Sequence, residues 1–130
     1  MQVKAEKNKT ENRSEKVFLQ FKKCIFAKYL IVMNSKNAIL SVMRTHKHQF
    51  ASFGVNKIGL FGSYVRNEQQ PQSDIDILVD FEPEKETFDN LMNLHNYLEE
   101  LFINEKIEVV TVNGLSPYIG KYILKEVNYV

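Results

Sequence analysis

Along the chain the apolar positions switch between a helical spacing and a strand spacing. After Ser35, residues Ala38, Ile39, Val42 and Met43 recur at steps of three and four, which predicts a helix with Ser35 as its cap. Gly54 closes that region, and Lys57 to Phe61 reads as a strand. Gly62-Ser63 should turn into a short helix carrying Tyr64, Val65 and Arg66, and Asn67 to Gln72, with Pro71, reads as a loop. A second strand is expected from Asp74 to Phe81, ended by Glu82-Pro83. From Thr87 a helix is expected whose stripe of Phe88, Leu91, Leu94, Leu98 and Leu101 belongs to the core. Ile107 to Val112 alternates as a third strand, and Ser116-Pro117 should open a C-terminal helix. Strands separated by helices, with one hairpin-like pair, predict an α/β (α+β) domain with a small mixed β-sheet flanked by helices.

The N-terminal quarter follows a different pattern. Residues 1–16 are mostly Lys, Glu and Asn and read as a solvated, disordered arm. From Val17 to Val32 apolar residues return, interrupted by Lys22, Lys23 and Lys28. This stretch is too charged for a membrane span or a signal-peptide core, and suits an amphipathic helix. Residues 1–32 are therefore expected to be an extension, with the domain proper at 33–130. Met33 is an alternative natural start.

Composition adds little that is unusual. The 130 residues are 44% hydrophobic and 25% charged, as in ordinary globular domains. A net charge of +1 gives no global pull towards nucleic acid or anionic membrane. The single Cys24 leaves no intramolecular disulfide and suits the cytoplasm. No zinc spacing is present, and His46, His48 and His95 read as surface or packing residues.

The chemistry concentrates between Gly62 and Asp76. Side chains alternate along a strand, so Asp74 and Asp76 point to one side while Ile75, Ile77 and Val79 point to the other. Asp is disfavoured in strands, and two such carboxylates repel unless a cation sits between them. Mg²⁺ is the usual oxygen-bound partner of phosphate substrates. Gly62 allows close backbone approach, and exposed N–H groups with the Ser63 hydroxyl can hold a phosphate. Arg66, one turn on, can reach the same phosphates or form a surface ion pair with Glu68 or Asp80. Ser73 reads as a nucleotide contact or as a cap of the turn before the strand. Glu108 interrupts an apolar strand that could lie beside Asp74 and Asp76; there it would complete an oxygen cage for two metal ions, or else be a solvated edge carboxylate. The turn after Phe61 carries neither the P-loop lysine nor a Gly-x-Gly-x-x-Gly pattern.

Gly62-Ser63, ten residues, then Asp74-x-Asp76 resembles the signature of the nucleotidyltransferase superfamily related to DNA polymerase β. The runs Lys57-Ile-Gly-Leu-Phe-Gly-Ser-Tyr-Val-Arg66 and Ser73-Asp-Ile-Asp-Ile-Leu-Val-Asp-Phe81 resemble its minimal nucleotidyltransferases in particular, and the likeness runs from about Met33 to Val130. The resemblance implies a polymerase β-like nucleotidyltransferase fold and transfer of a nucleoside monophosphate, AMP from ATP, onto an acceptor hydroxyl. Asp74, Asp76 and Glu108 would hold Mg²⁺ or Mn²⁺ and carry catalysis, with Gly62, Ser63, Arg66 and Ser73 on the nucleotide. Many minimal nucleotidyltransferases are antitoxins encoded beside a HEPN-domain toxin, which implies such a toxin as partner and its tyrosine as acceptor. The superfamily usually has Asp where this chain has Glu108. That departure keeps open an antitoxin that acts by contact alone. A transferase for a small molecule or an RNA end is the other alternative, though the chain shows no basic stripe for RNA.

Overall fold

The computed structural model describes residues 35–130, so the expectations for residues 1–32, and for a domain start at Met33, lie outside the described residues. Ser35 caps the first helix, its hydroxyl accepting from the Ala38 N–H at 3.2 Å. Helix α1 (Lys36–Thr45) buries Ala38, Ile39, Leu40 and Met43. The chain breaks at His46 and resumes as α2 (Lys47–Ser52), so the two nearby histidines do not share one helix. His46 Nδ1 lies 2.7 Å from the Tyr97 hydroxyl, and the Phe50 and Phe53 rings pack on the same tyrosine. His46 is thus a packing residue, as expected. Gly54, at φ +84°, then turns the chain into the sheet.

Four strands follow in the spatial order β3-β2-β1-β4. Strand β1 (Val55–Phe61) pairs antiparallel with β2 (Ile75–Phe81), setting Leu60 opposite Ile77 and Phe61 opposite Asp76. In β2, Ile75, Ile77, Leu78 and Val79 have no exposed surface. A central strand covered on both faces needs such a nearly continuous apolar run. Strand β3 (Ile107–Thr111) joins β2 in parallel, with Asp76 level with Glu108. A parallel neighbour needs a crossover, which α3 (Phe88–Leu101) provides.

Thr87 caps α3 by accepting from the Asn90 N–H at 3.1 Å. Leu94 and Leu98 form its fully buried face, while Leu91 and Leu101 are half-buried. Phe88 departs from its expected place in the core, being 76% exposed. At 3.6 residues per turn, two steps of three leave it about 120° around the helix from Leu94. Phe102, just past the helix, is buried at that end instead.

Two further expectations need correction, and one strand lies outside them. The segment after Gly62-Ser63 is a single hydrogen-bonded turn: the Val65 and Arg66 N–H groups reach the Gly62 carbonyl and Glu68 N–H closes on Ser63. It is not a helix. At the C-terminus, Ser116-Pro117 forms a turn, and α4 (Gly120–Glu126) begins only after it. Ser116 still accepts from the Tyr118 N–H at 3.3 Å and its carbonyl from the Gly120 N–H at 2.7 Å. Strand β4 (Asn128–Tyr129), on the outer side of β1, has no counterpart in the sequence pattern, because two residues give no period. Among the described residues no helix is long and apolar enough to cross a membrane.

Candidate active site

The sheet sets the spacing of the carboxylates. Asp76 is the second residue of β2, and the parallel register puts Glu108 of edge strand β3 directly beside it. Neighbouring strands lie about 4.8 Å apart, so two side chains on the same face of that pair meet. Asp76 is half-buried while Glu108 is exposed. The Asp76 carboxyl is pushed up to about 7. Burial is the largest cause, followed by the hydrogen bond and negative charge of Glu108 and the charge of Asp74, with Arg66 pulling the other way. Near neutrality a raised carboxyl of this kind is only partly ionised, which is how a close group of carboxylates limits its own repulsion. Asp74, just before the strand, is half-buried and adds charge to this pair. Among the described residues, no three His, Cys, Asp or Glu side chains form a ready-made metal cage. The site is a close pair with a third carboxylate beside it.

Gly62 forms the opposite wall. Its φ is +79°, and a Cβ there would collide with Asp76 Oδ2. The turn beyond it is anchored by Tyr64, which is 3% exposed and whose hydroxyl is raised by burial and then by the charge of Glu105. Ser63 is half-buried at the start of this turn. Ser73 tightens the following loop, its hydroxyl accepting from the Gln70 N–H at 2.8 Å, which fits the capping alternative.

Arg66 reaches back over the turn. Its Nε lies 3.1 Å from Glu68 Oε2, the surface pair weighed from the sequence, whereas Asp80 is paired in register with Lys57 instead. The second partner was not foreseen. Arg66 Nη1 donates to both Glu126 oxygens, at 3.1 and 3.0 Å, and the Gly62 N–H donates to Glu126 Oε1 at 3.0 Å. The antiparallel register of β1 and β4, with Leu60 opposite Asn128, extends to bring Glu126 level with Gly62. Since β4 is invisible in the sequence pattern, so is this contact. The one available signal was an arginine in need of a counter-charge.

Similarity to known proteins agrees with this geometry. The model of the "Polymerase beta, Nucleotidyltransferase" family matches residues 41–130. The protein adenylyltransferase MntA of Thermococcus cleftensis is 41% identical over 101 residues, covering 77% of this chain and all of that protein. A relative from Methanocaldococcus jannaschii, described as a protein adenylyltransferase, is 37% identical over 100 residues, covering 75% of this chain and all of its own length. A solved structure described as a minimal nucleotidyltransferase superposes with a TM-score of 0.57 at 30% identity, over 68% of this chain and 93% of that one. The fold, the Asp76 carboxylate against a bare glycine and these matches agree, and the chain belongs to the polymerase beta nucleotidyltransferase family.

Proposed function

We propose that the protein transfers AMP from ATP to a hydroxyl on a protein, a tyrosine of a HEPN-domain toxin, and acts in the cytoplasm as that toxin's antitoxin. The carrying observation is Asp76, set level with Glu108 across a parallel ladder and pressed against Gly62. The name of the 41%-identical relative supports AMP as the group transferred and protein as the acceptor. The sequence resemblance to antitoxins supports the toxin.

The donor set fits a hard divalent cation, Mg²⁺ or Mn²⁺. Asp74, Asp76 and Glu108 supply only oxygens, and the Asp76 carboxyl is raised first by burial and then by its two acidic neighbours. When bound, such an ion would polarise the phosphoryl oxygens and ease departure of pyrophosphate. Gly62 N–H, the Ser63 hydroxyl and Arg66 bind the β- and γ-phosphates, and Ser73 holds the loop that leads into the carboxylate strand. The acceptor oxygen attacks the α-phosphorus, and the bond from that phosphorus to the bridging oxygen of the β-phosphate breaks. The acceptor's proton passes to Glu108, the exposed carboxylate beside Asp76 on the edge strand. Glu108 is exposed on an edge strand, so a hydroxyl carried by another protein can approach it.

The test is label transfer from ATP carrying a labelled α-phosphate to the cognate toxin. Wild type should label the toxin and Asp76→Ala should not. If Asp76→Ala neutralises the toxin at full strength and wild type transfers no label, the protein acts by contact and the transfer reading is wrong.

A further inference from the structure

We propose that the Glu126 carboxylate is a built-in competitor of the substrate's polyphosphate chain, holding the Gly62 N–H and the Arg66 guanidinium until a phosphate displaces it. This rests on the reading that the Gly62–Arg66 turn takes phosphate. One carboxylate collects three hydrogen bonds here, two from Arg66 Nη1 and one from the Gly62 N–H, all between 3.0 and 3.1 Å. An arginine fork and a backbone N–H recognise carboxylate and phosphate oxygens by the same geometry, so the two anions exclude each other.

The position of Glu126 argues against a purely architectural role. It is the last residue of α4, where the partial negative charge of the helix end disfavours a carboxylate. Its Arg66 partner is about half open to water, with side-chain exposures of 47% for Arg66 and 23% for Glu126. Solvent at the Arg66 end screens the pair and reduces what it adds to stability. What the contact does accomplish is to hold Arg66 over the turn with Gly62 N–H aimed at an anion. A polyphosphate carries more charge than one carboxylate and can take all three donors. Glu126 therefore sets a threshold for anion binding while keeping the site organised.

The experiment is calorimetric titration of the full chain with inorganic tripolyphosphate, without metal or base, so that the anion subsite is read by itself. Glu126→Gln should bind about tenfold tighter than wild type, equivalent to about 1.4 kcal/mol. Glu126→Asp should stay near wild type, and Arg66→Ala should lose most of the binding. Equal or weaker binding by Glu126→Gln would overturn the proposal, as would failure of both proteins to bind tripolyphosphate. A second measurement needs no substitution. In wild type, added tripolyphosphate should shift the Gly62 amide and the Glu126 side-chain carboxyl carbon together in NMR spectra, and a Gly62 shift with an unmoved Glu126 overturns the competition. Label transfer to the toxin is scored separately. Transfer with equal affinities sinks the competition alone, and competition without transfer sinks the transferase reading alone.

Discussion

Gly62→Ala perturbs both the turn and the carboxylate pair through one methyl group. Gly62 sits at φ +79°, where an L-residue costs about 1–2 kcal/mol. The new Cβ would also fall on Asp76 Oδ2. The atom struck is the tip of a side chain, so Asp76 can yield by rotating, at about 0.5–1.5 kcal/mol for an off-rotamer geometry. The total is roughly 2–3 kcal/mol, lowering the melting temperature by on the order of 10 °C for a domain of this size. The two parts separate in a double-mutant cycle, because in an Asp76→Ala background only the backbone part of about 1–2 kcal/mol should remain. Urea unfolding of the four proteins measures both. Activity should fall further than stability, since displacing a reacting group by about 1 Å costs on the order of a hundredfold. If Gly62→Ala is equally destabilising in both backgrounds, or transfers AMP at the wild-type rate, the close approach of Gly62 to Asp76 has no functional meaning.

Other predictions follow from the same geometry. The Asp76 carboxyl is raised to about 7 in the folded chain from an ordinary 3.8, so its contribution is fully present below about pH 4 and is lost as pH rises through 7. The melting temperature of Asp76→Asn minus that of wild type should therefore grow between pH 5 and 8, and added Mg²⁺ should shrink the gap at pH 8; a flat difference refutes the raised carboxyl. Glu108→Gln removes a like charge from Asp76, so it should raise stability at pH 8 while slowing transfer about a hundredfold, and Glu108→Asp should be slowed less. An unchanged rate in Glu108→Gln would make Glu108 a bystander. Phe102→Ala should cost about 3–5 kcal/mol in urea unfolding, and Phe88→Ser under about 0.5; similar costs would contradict the packing of α3.

Much of this was legible in the chain because local rules decide it. Ser35 and Thr87 cap helices that their apolar steps predict, and the alternation of Ile75, Asp76 and Ile77 separates the carboxylate from the core, although the strand begins one residue after the expected Asp74. The pairing of Glu108 with Asp76 could be suggested but not fixed, because register across a crossover depends on α3 docking as a whole. Where sequence reasoning failed, a small geometric excess or a non-local contact was responsible. Phe88 matched the spacing of its stripe while drifting off the buried face. The turn after Gly62 has helical bonds for only one turn, since the chain must run on through Asn67 at φ +57° into the loop. Glu126 escaped notice because its role depends on a two-residue strand docking on a distant edge.

The carboxylate pair also makes poor sense as a device for stability. Strand β3 lies at the edge of the sheet, and a β-branched residue at position 108 would suit it better than a charge. Instead Glu108 faces Asp76 across one ladder spacing, and burial together with that neighbour raises the Asp76 carboxyl to about 7. On the other side, Gly62 gives up its side chain to let that carboxyl in, in a backbone conformation that glycine alone adopts easily. A cation among the carboxylates would relieve the first strain, and a phosphate has use for the second. Three neighbouring strands and the turn between two of them thus share a local instability that a nucleotide, a metal ion and an acceptor would remove together. An activity in which all three meet is what this arrangement favours over a surface that works by contact alone.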